Sequence, residues 1–224
     1  MEHKALLDSL ARYLVALDVG HPLRVAIDGV DAAGKTILAD DLARELQGCG
    51  RQIIRSSVDF FHYPAEVRHQ HSGTSPESYY ADSFNYPALT SLLLEPLGAG
   101  GNRRFCTGIY DYRVEGELKS PELLADVSAI LLFDGIFLQR PELSVYWDRV
   151  IFLQVNFEET VARAAERDQY LFGTAAEVRV RYESRYVPGQ QIYLAQCQPA
   201  DLAHILIDNT DPTFPLLLRG META

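Results

Sequence analysis

The sequence predicts an α/β fold: a five-stranded, mostly parallel sheet with helices on both faces, carrying a lid and an insert. Three observations lead there. Short apolar runs of strand length alternate with stretches of helical periodicity. The first run opens into a glycine-rich turn and then a helix. The strands that precede Gly29, Asp59 and Asp134 all end at these residues, and in such sheets the ligand side is the carboxyl edge of the strands.

The elements follow in order. Leu6, Leu7, Leu10, Leu14 and Leu17 recur at helical spacing, predicting an amphipathic N-terminal helix packed on the body. That stretch lacks the continuous apolar centre and small-residue cleavage site of a signal peptide. Residues 23–28 (LRVAID) read as a buried strand. Leu38, Leu42 and Leu46 then share one helix face before Gly48 and Gly50 stop it. A second strand covers 52–58 and ends at Asp59. From 60 to about 80 the chain is polar, aromatic and rich in His, punctuated by Pro64, Gly73 and Pro76, and a connection of that length is expected to be a lid or binding loop. A helix over 87–97 and a hairpin insert over 98–118 follow. Residues 129–133 (AILLF) form the most buried strand, ending at Asp134; 149–155 form a fourth, 158–168 a helix, and 204–207 a fifth strand. Nothing repeats, so one domain over 1–224 is expected, with an acceptor-side insert at 60–120 and a lid region at 163–190.

Composition narrows the function classes. Hydrophobic residues at 47% and charged residues at 23% supply a core and exclude disordered, collagen-like and disulfide-scaffold chains. With 20 Lys and Arg against 31 Asp and Glu, the net charge is −11, which argues against general binding of nucleic acid or anionic membrane. Cys49, Cys106 and Cys197 are odd in number and contain no C-x-x-C, so neither a disulfide framework nor a zinc site is indicated and a reducing cytoplasm is the expected setting. The densest apolar stretch, 129–138, is too short for a membrane span and is broken by Asp134. Subunit number is left open, a homo-oligomer included.

Gly29, Val30, Asp31, Ala32, Ala33, Gly34, Lys35 and Thr36 complete a G-x-x-x-x-G-K-[ST] P-loop. The flanking strand and helix suit it, and the expected frame is a P-loop NTPase fold. Glycines permit the tight turn, inward N–H groups of the loop (Gly29, Asp31, Ala32, Ala33, Gly34) meet phosphate oxygens, and the following helix N-terminus favours anions. Lys35 then bridges the terminal phosphates of ATP, and the Thr36 hydroxyl ligates Mg2+. Asp59 is placed to accept a proton from an attacking hydroxyl, or else caps its loop locally. Asp134 supports magnesium, or caps a helix. Arg163 and Arg167, four apart on one helix face beside the lid, either neutralise a transferring phosphoryl group or pair with Glu159 or Glu166. His62, His69 and His71 offer acceptor contacts or solvated side chains sooner than a metal site, since no ligand geometry follows from their spacing. Tyr79, Tyr80, Phe84, Tyr86, Tyr110 and Tyr112 supply flat surfaces for a ring, or core packing.

The ordered set of P-loop, V-D-F-F-H, F-N-Y-P, Y-D-Y, L-F-D-G-I-F, R-D in a lid and Y-V-P-G-Q resembles the uridine kinase and phosphoribulokinase group of P-loop kinases over most of the chain after Arg24. It is most similar to bacterial members carrying D-G-V-D-x-A-G-K-T and R-P-E-L. The resemblance implies that Asp59 is the catalytic acid after the second strand, Tyr110 packs on a base, Asp134 replaces the usual magnesium-supporting Glu, and Arg163 and Arg167 are lid arginines. It also implies departures: Asn85 stands where nucleoside kinases carry a ribose-holding Asp, Glu115 lies where they carry a base-reading His, and Phe172 takes the place of a third lid arginine. The implied activity is transfer of the γ-phosphoryl of ATP, with magnesium, to the hydroxyl of a small-molecule acceptor. The 5′-hydroxyl of uridine or cytidine, met by Asp59, His62, Asn85, Tyr110 and Glu115, is the first expectation. Another alcohol (a sugar, pantothenate or a nicotinamide nucleoside) and a non-kinase nucleotide switch are the alternatives.

Overall fold

The computed structural model describes residues 1–68 and 75–221, so His69, His71 and Gly73 lie outside the described residues. Helix α1 (His3–Ala16) precedes strand β1 (Leu23–Gly29), the P-loop, helix α2 (Lys35–Glu45) and strand β2 (Ile53–Ser57). A single 3-10 turn (Val58–Phe61) leads to α3 (Ala65–Arg68), α4 (Pro76–Asp82) and α5 (Tyr86–Leu89), which continues as a π turn over Thr90–Leu94. Four two-residue strands follow: β3 (Arg104–Phe105), β4 (Tyr110–Asp111), β5 (Gly116–Glu117) and β6 (Leu123–Leu124). Then come β7 (Ile130–Gly135), α6 (Pro141–Ser144), β8 (Arg149–Gln154), α7 (Phe157–Arg167), α8 (Gln169–Phe172) and α9 (Ala175–Arg181). A second π turn (Tyr182–Tyr186) joins α9 to α10 (Val187–Cys197), and α11 (Pro199–Leu202), β9 (Ile205–Asp208) and β10 (Leu216–Arg219) are the last elements among the described residues.

The main sheet runs β10-β9-β8-β1-β7-β2. Its five expected strands pair in parallel, and β10 adds an antiparallel edge. Parallel strands buried on both faces need apolar residues throughout, and every residue of β1 and β7 is buried. Alternate side chains serve opposite layers. Val25, Ile27, Leu132 and Ile151 pack against Leu10, Leu14, Leu38 and Leu42 of α1 and α2. On the other face Ala26, Leu131, Phe133 and Phe152 pack with Tyr79, Phe137 and Tyr193, under α4 and α10. A smaller cluster of Val161, Ala164, Val178 and Tyr182 joins α7 to α9.

Several boundaries differ from expectation for physical reasons. The connection from 60 to 80 is partly helical, because Pro76 occupies a first-turn position of α4 where its missing N–H has no cost, and Ser75 accepts a hydrogen bond from the Ser78 N–H. The hairpin insert resolves into two ribbons, β3 with β6 and β4 with β5. The long helix from α9 to α10 is under-wound just before Pro188, whose ring conflicts with a carbonyl four residues back. At the carboxyl edge of the sheet, Asp134 is level with Ile27 of β1 and Ser57 of β2, so the P-loop and the chain after β2 converge on it.

Candidate active site

The loop between β1 and α2 has the backbone that its glycines predict. Gly34 has φ +94°, and a Cβ there would lie 2.7 Å from the Asn209 side-chain nitrogen; one at Gly29, φ +152°, would lie 2.7 Å from the Leu153 carbonyl. Ala32 takes a left-handed φ of +56° without being glycine, so neighbouring contacts must hold it. Asn209 donates its side-chain amide to the Ala33 carbonyl at 2.8 Å. Lys35 is buried and donates Nζ to the Val30 carbonyl at 2.7 Å, curled over the loop it follows.

Two expected acids stand beside it. The Thr36 hydroxyl donates to Asp134 Oδ2 at 2.6 Å, and the other oxygen of Asp134 accepts from Arg55 at 2.9 Å. Arg55 also reaches Asp40 and the Leu132 carbonyl, so it partly neutralises an acid that is only 2% exposed. Sequence reasoning missed Arg55; its alternate position on β2, facing the same layer as Asp134, was the available signal. Asp59 sits in the 3-10 turn after β2, its N–H bonded to the Ser57 hydroxyl at 3.3 Å. Enclosure in the cleft and the negative charges of Asp134 and Asp31 raise its carboxyl to about 6, against the pull of Lys35 and Arg113. Its side chain nevertheless keeps 42% of its surface open, so the acid is crowded by charge yet accessible from outside.

The other expected site residues lie in the segment that follows Asp59, with His62 in contact with it. His62 Nε2 is 3.9 Å from Asp59, while its Nδ1 contacts the Ser83 carbonyl at 3.0 Å. Its ring packs between Phe84 and Tyr112, and burial, with Arg68 nearby, drives its pKa down to about 3, so the ring is neutral. Tyr110 donates to Glu115 at 2.7 Å, and Arg68 pairs with the same carboxylate at 2.5 Å. Glu115 is thus pinned within the insert. Asn85 uses its side-chain oxygen to cap α5, accepting from the Ala88 N–H at 3.0 Å. Arg113, stacked 5.4 Å over the Tyr112 ring, supplies a positive charge toward Asp59 that the sequence reading did not single out.

On the lid side, Arg163 pairs with Glu159 at 2.9 Å and donates to the Thr210 carbonyl at 2.7 Å. Arg167 holds Asp168 through two nitrogens, at 2.6 and 2.9 Å. Arg163 therefore ties α7 to the chain after β9, and Arg167 is held by its neighbour at the end of α7. The Asp31 carboxylate accepts hydrogen bonds from Tyr79 and Gln190. Beneath the loop, fully buried Asp28 accepts from Gly29 N–H at 2.8 Å, Gln139 at 3.1 Å and the Tyr193 hydroxyl. Burial raises its pKa while those three donors oppose the rise. No cluster of three or more His, Cys, Asp or Glu side chains forms a metal site among the described residues, and Cys49, Cys106 and Cys197 are free thiols. Nor is any described helix long and apolar enough to cross a membrane.

No family model matches the chain. In sequence it is 25% identical over 176 residues to uridine-cytidine kinase B of Dictyostelium discoideum, spanning 78% of this chain and 70% of that protein. In structure it is similar to a possible uridine kinase from Bacillus stearothermophilus, with a TM-score of 0.72 and 20% identity over 92% of this chain and 99% of the other. Both proteins are described as uridine or uridine-cytidine kinases, and the structural likeness shows that this chain shares their α/β fold. The shared frame is a mostly parallel sheet with helices on both faces, and in this chain it carries a complete P-loop between β1 and α2. A protein ascribed to a fructose transport system as its kinase, from Silicibacter sp. TM1040, has the same fold, with a TM-score of 0.69 at 20% identity over 87% of this chain and 95% of the other.

Proposed function

We propose that the protein transfers the γ-phosphoryl of ATP to a hydroxyl of a small-molecule acceptor, with the 5′-hydroxyl of uridine or cytidine as the first candidate. The observation that carries this reading is the convergence of a complete P-loop, the Thr36–Asp134 pair at 2.6 Å and an accessible Asp59 at one sheet edge. Lys35 and the N–H groups of Ala32 and Gly34 hold the phosphates, Lys35 exchanging its bond to the Val30 carbonyl for phosphate oxygens, while the expected Gly29 and Asp31 N–H donors are taken by Asp28 and Gln190. Thr36 and Asp134 offer the hard oxygens that suit magnesium, directly or through water, and the bound ion would neutralise phosphate charge.

Asp59 accepts the acceptor's hydroxyl proton as the oxygen–phosphorus bond forms and the bond from the γ-phosphorus to the ADP oxygen breaks. A carboxyl at about 6 is ionised at neutral pH and remains a stronger base than an ordinary Asp. Catalysis is mainly positioning and charge neutralisation. Arg163 and Arg167 contribute if lid closure exchanges their present partners for phosphate.

The capping role of Asn85 favours a second reading of the acceptor. Asn85 is an amide, not a carboxylate, and its oxygen is engaged with the Ala88 N–H, so a ribose diol meets no acid there and another alcohol such as a sugar is the second candidate. Replacing Asp59→Asn should slow phosphoryl transfer by roughly two to four orders of magnitude while leaving the ATP dissociation constant within about twofold. Unchanged turnover would remove Asp59 from the mechanism.

A further inference from the structure

Asp31 belongs to the phosphate-binding motif, yet a carboxylate beside a triphosphate is electrostatically unfavourable unless it is held elsewhere. The Gln190 side chain meets Asp31 twice: its oxygen accepts the Asp31 backbone N–H at 3.0 Å, and its nitrogen donates to Asp31 Oδ2 at 3.1 Å. Tyr79 donates its hydroxyl to that same oxygen at 2.7 Å. Both residues are nearly inaccessible, Gln190 at 1% and Tyr79 at 7%. Tyr79 is itself fixed edge-on between Phe137 and Tyr186. Gly189 lets the helices meet, since a Cβ there would lie 2.8 Å from both the Pro76 carbonyl and the Tyr79 ring.

The same helix braces the loop a second time. Tyr193, three residues beyond Gln190 and therefore on the same face, donates to Asp28, whose other oxygen holds the Gly29 N–H. Thus α10, continuous through the π turn with α9 of the lid, grips both the first residue of the loop and the residue preceding its strained Ala32.

We infer that Asp31, Tyr79 and Gln190 form a latch that sets the phosphate-binding loop, with Tyr79 and Gln190 acting as positioning residues for the nucleotide from the acceptor-side helix α4 and the lid helix α10. The effect on ATP rests on the kinase reading above; the effect on the loop does not. Asp31 therefore acts through its partners rather than by touching phosphate.

The test uses the full chain with Tyr79→Phe and Gln190→Leu, each made alone and in an Asp31→Ala background. Amide hydrogen exchange is followed over 29–36 without ligand, with 130–135 as the reference for global opening. Calorimetry with ATP and magnesium gives the dissociation constant. Tyr79→Phe keeps the ring packing, so it reports the hydroxyl even if Gln190→Leu fails to fold. The latch predicts roughly tenfold faster exchange in the loop with the reference strand unchanged, and ATP binding weakened by a similar factor, the size of one hydrogen bond to a charged group. In the Asp31→Ala background Tyr79→Phe should add less than about twofold. Loop exchange within twofold of the parent, or an equal Tyr79→Phe effect with and without Asp31, would overturn the latch. A parent protein that fails to bind ATP would instead defeat the kinase reading, and the exchange data would still decide the latch.

Discussion

Asp59 meets two opposed demands. Its carboxyl rises from the ordinary 3.8 to about 6 because the cleft encloses it and Asp134 and Asp31 crowd it. In the unfolded chain the proton is held less tightly, so folding favours the acid form; the folded state gains stability as pH falls from about 6 toward 4, and above 6 the ionised group opposes folding. Asp59→Asn should therefore be at least as stable as the parent at pH 7, read by thermal unfolding, although it loses activity. The same shift predicts that kcat/KM for the acceptor falls as pH drops through about 6, when the base becomes protonated. A limb at that pH would ordinarily suggest histidine. His62, 3.9 Å from Asp59, has its pKa driven down to about 3 by burial and remains neutral throughout that range. His62→Gln should keep the limb, and its disappearance in that variant would transfer the base role to His62.

Among elements, α1 has the clearest energetic consequence. Leu6, Leu10 and Leu14 are at most 1% exposed and cover the face of the sheet that also carries α2. Leu10→Ala should cost about 2–5 kcal/mol, measured by denaturant unfolding, by leaving a cavity that rigid neighbours fill only in part. That helix was legible because its leucines recur with a single period. The P-loop was legible for a different reason: its spacing is local, and the turn, amides, Lys35 and Thr36 all come from eight consecutive residues. The edge strand β10 was not, because its half-exposed PLLLR run shows no alternation to mark a strand. The under-wound turn before α10 likewise depends on how Pro188 is accommodated inside a continuing helix, a choice that tertiary packing makes.

At the scale of the whole molecule, the contacts that shape the cleft join distant parts of the chain. Tyr193 meets Asp28 across 165 positions, Gln190 meets Asp31 across 159, and Arg55 meets Asp134 across 79. Individual residues in these pairs look ordinary in sequence, and only the parallel topology brings them together. The acids at the strand ends were anticipated because strand order alone puts them on one edge. The partners that hold them were not, since each comes from the opposite layer or a remote strand. On the proposed kinase reading, this arrangement also accounts for a chain with net charge −11 presenting a site for an anionic nucleotide. The positive and N–H groups are concentrated locally, while Asp31 is hydrogen-bonded by Tyr79 and Asp134 is partly neutralised by Arg55. The most direct measurement is ADP release by the purified protein from ATP and magnesium, across nucleosides, sugars and other small alcohols, each corrected for release without acceptor. The account predicts acceptor-dependent release with at least one hydroxyl compound, abolished by Lys35→Ala and by Asp59→Asn; ATP binding with no acceptor-dependent release, and none altered by Asp59→Asn, would contradict it.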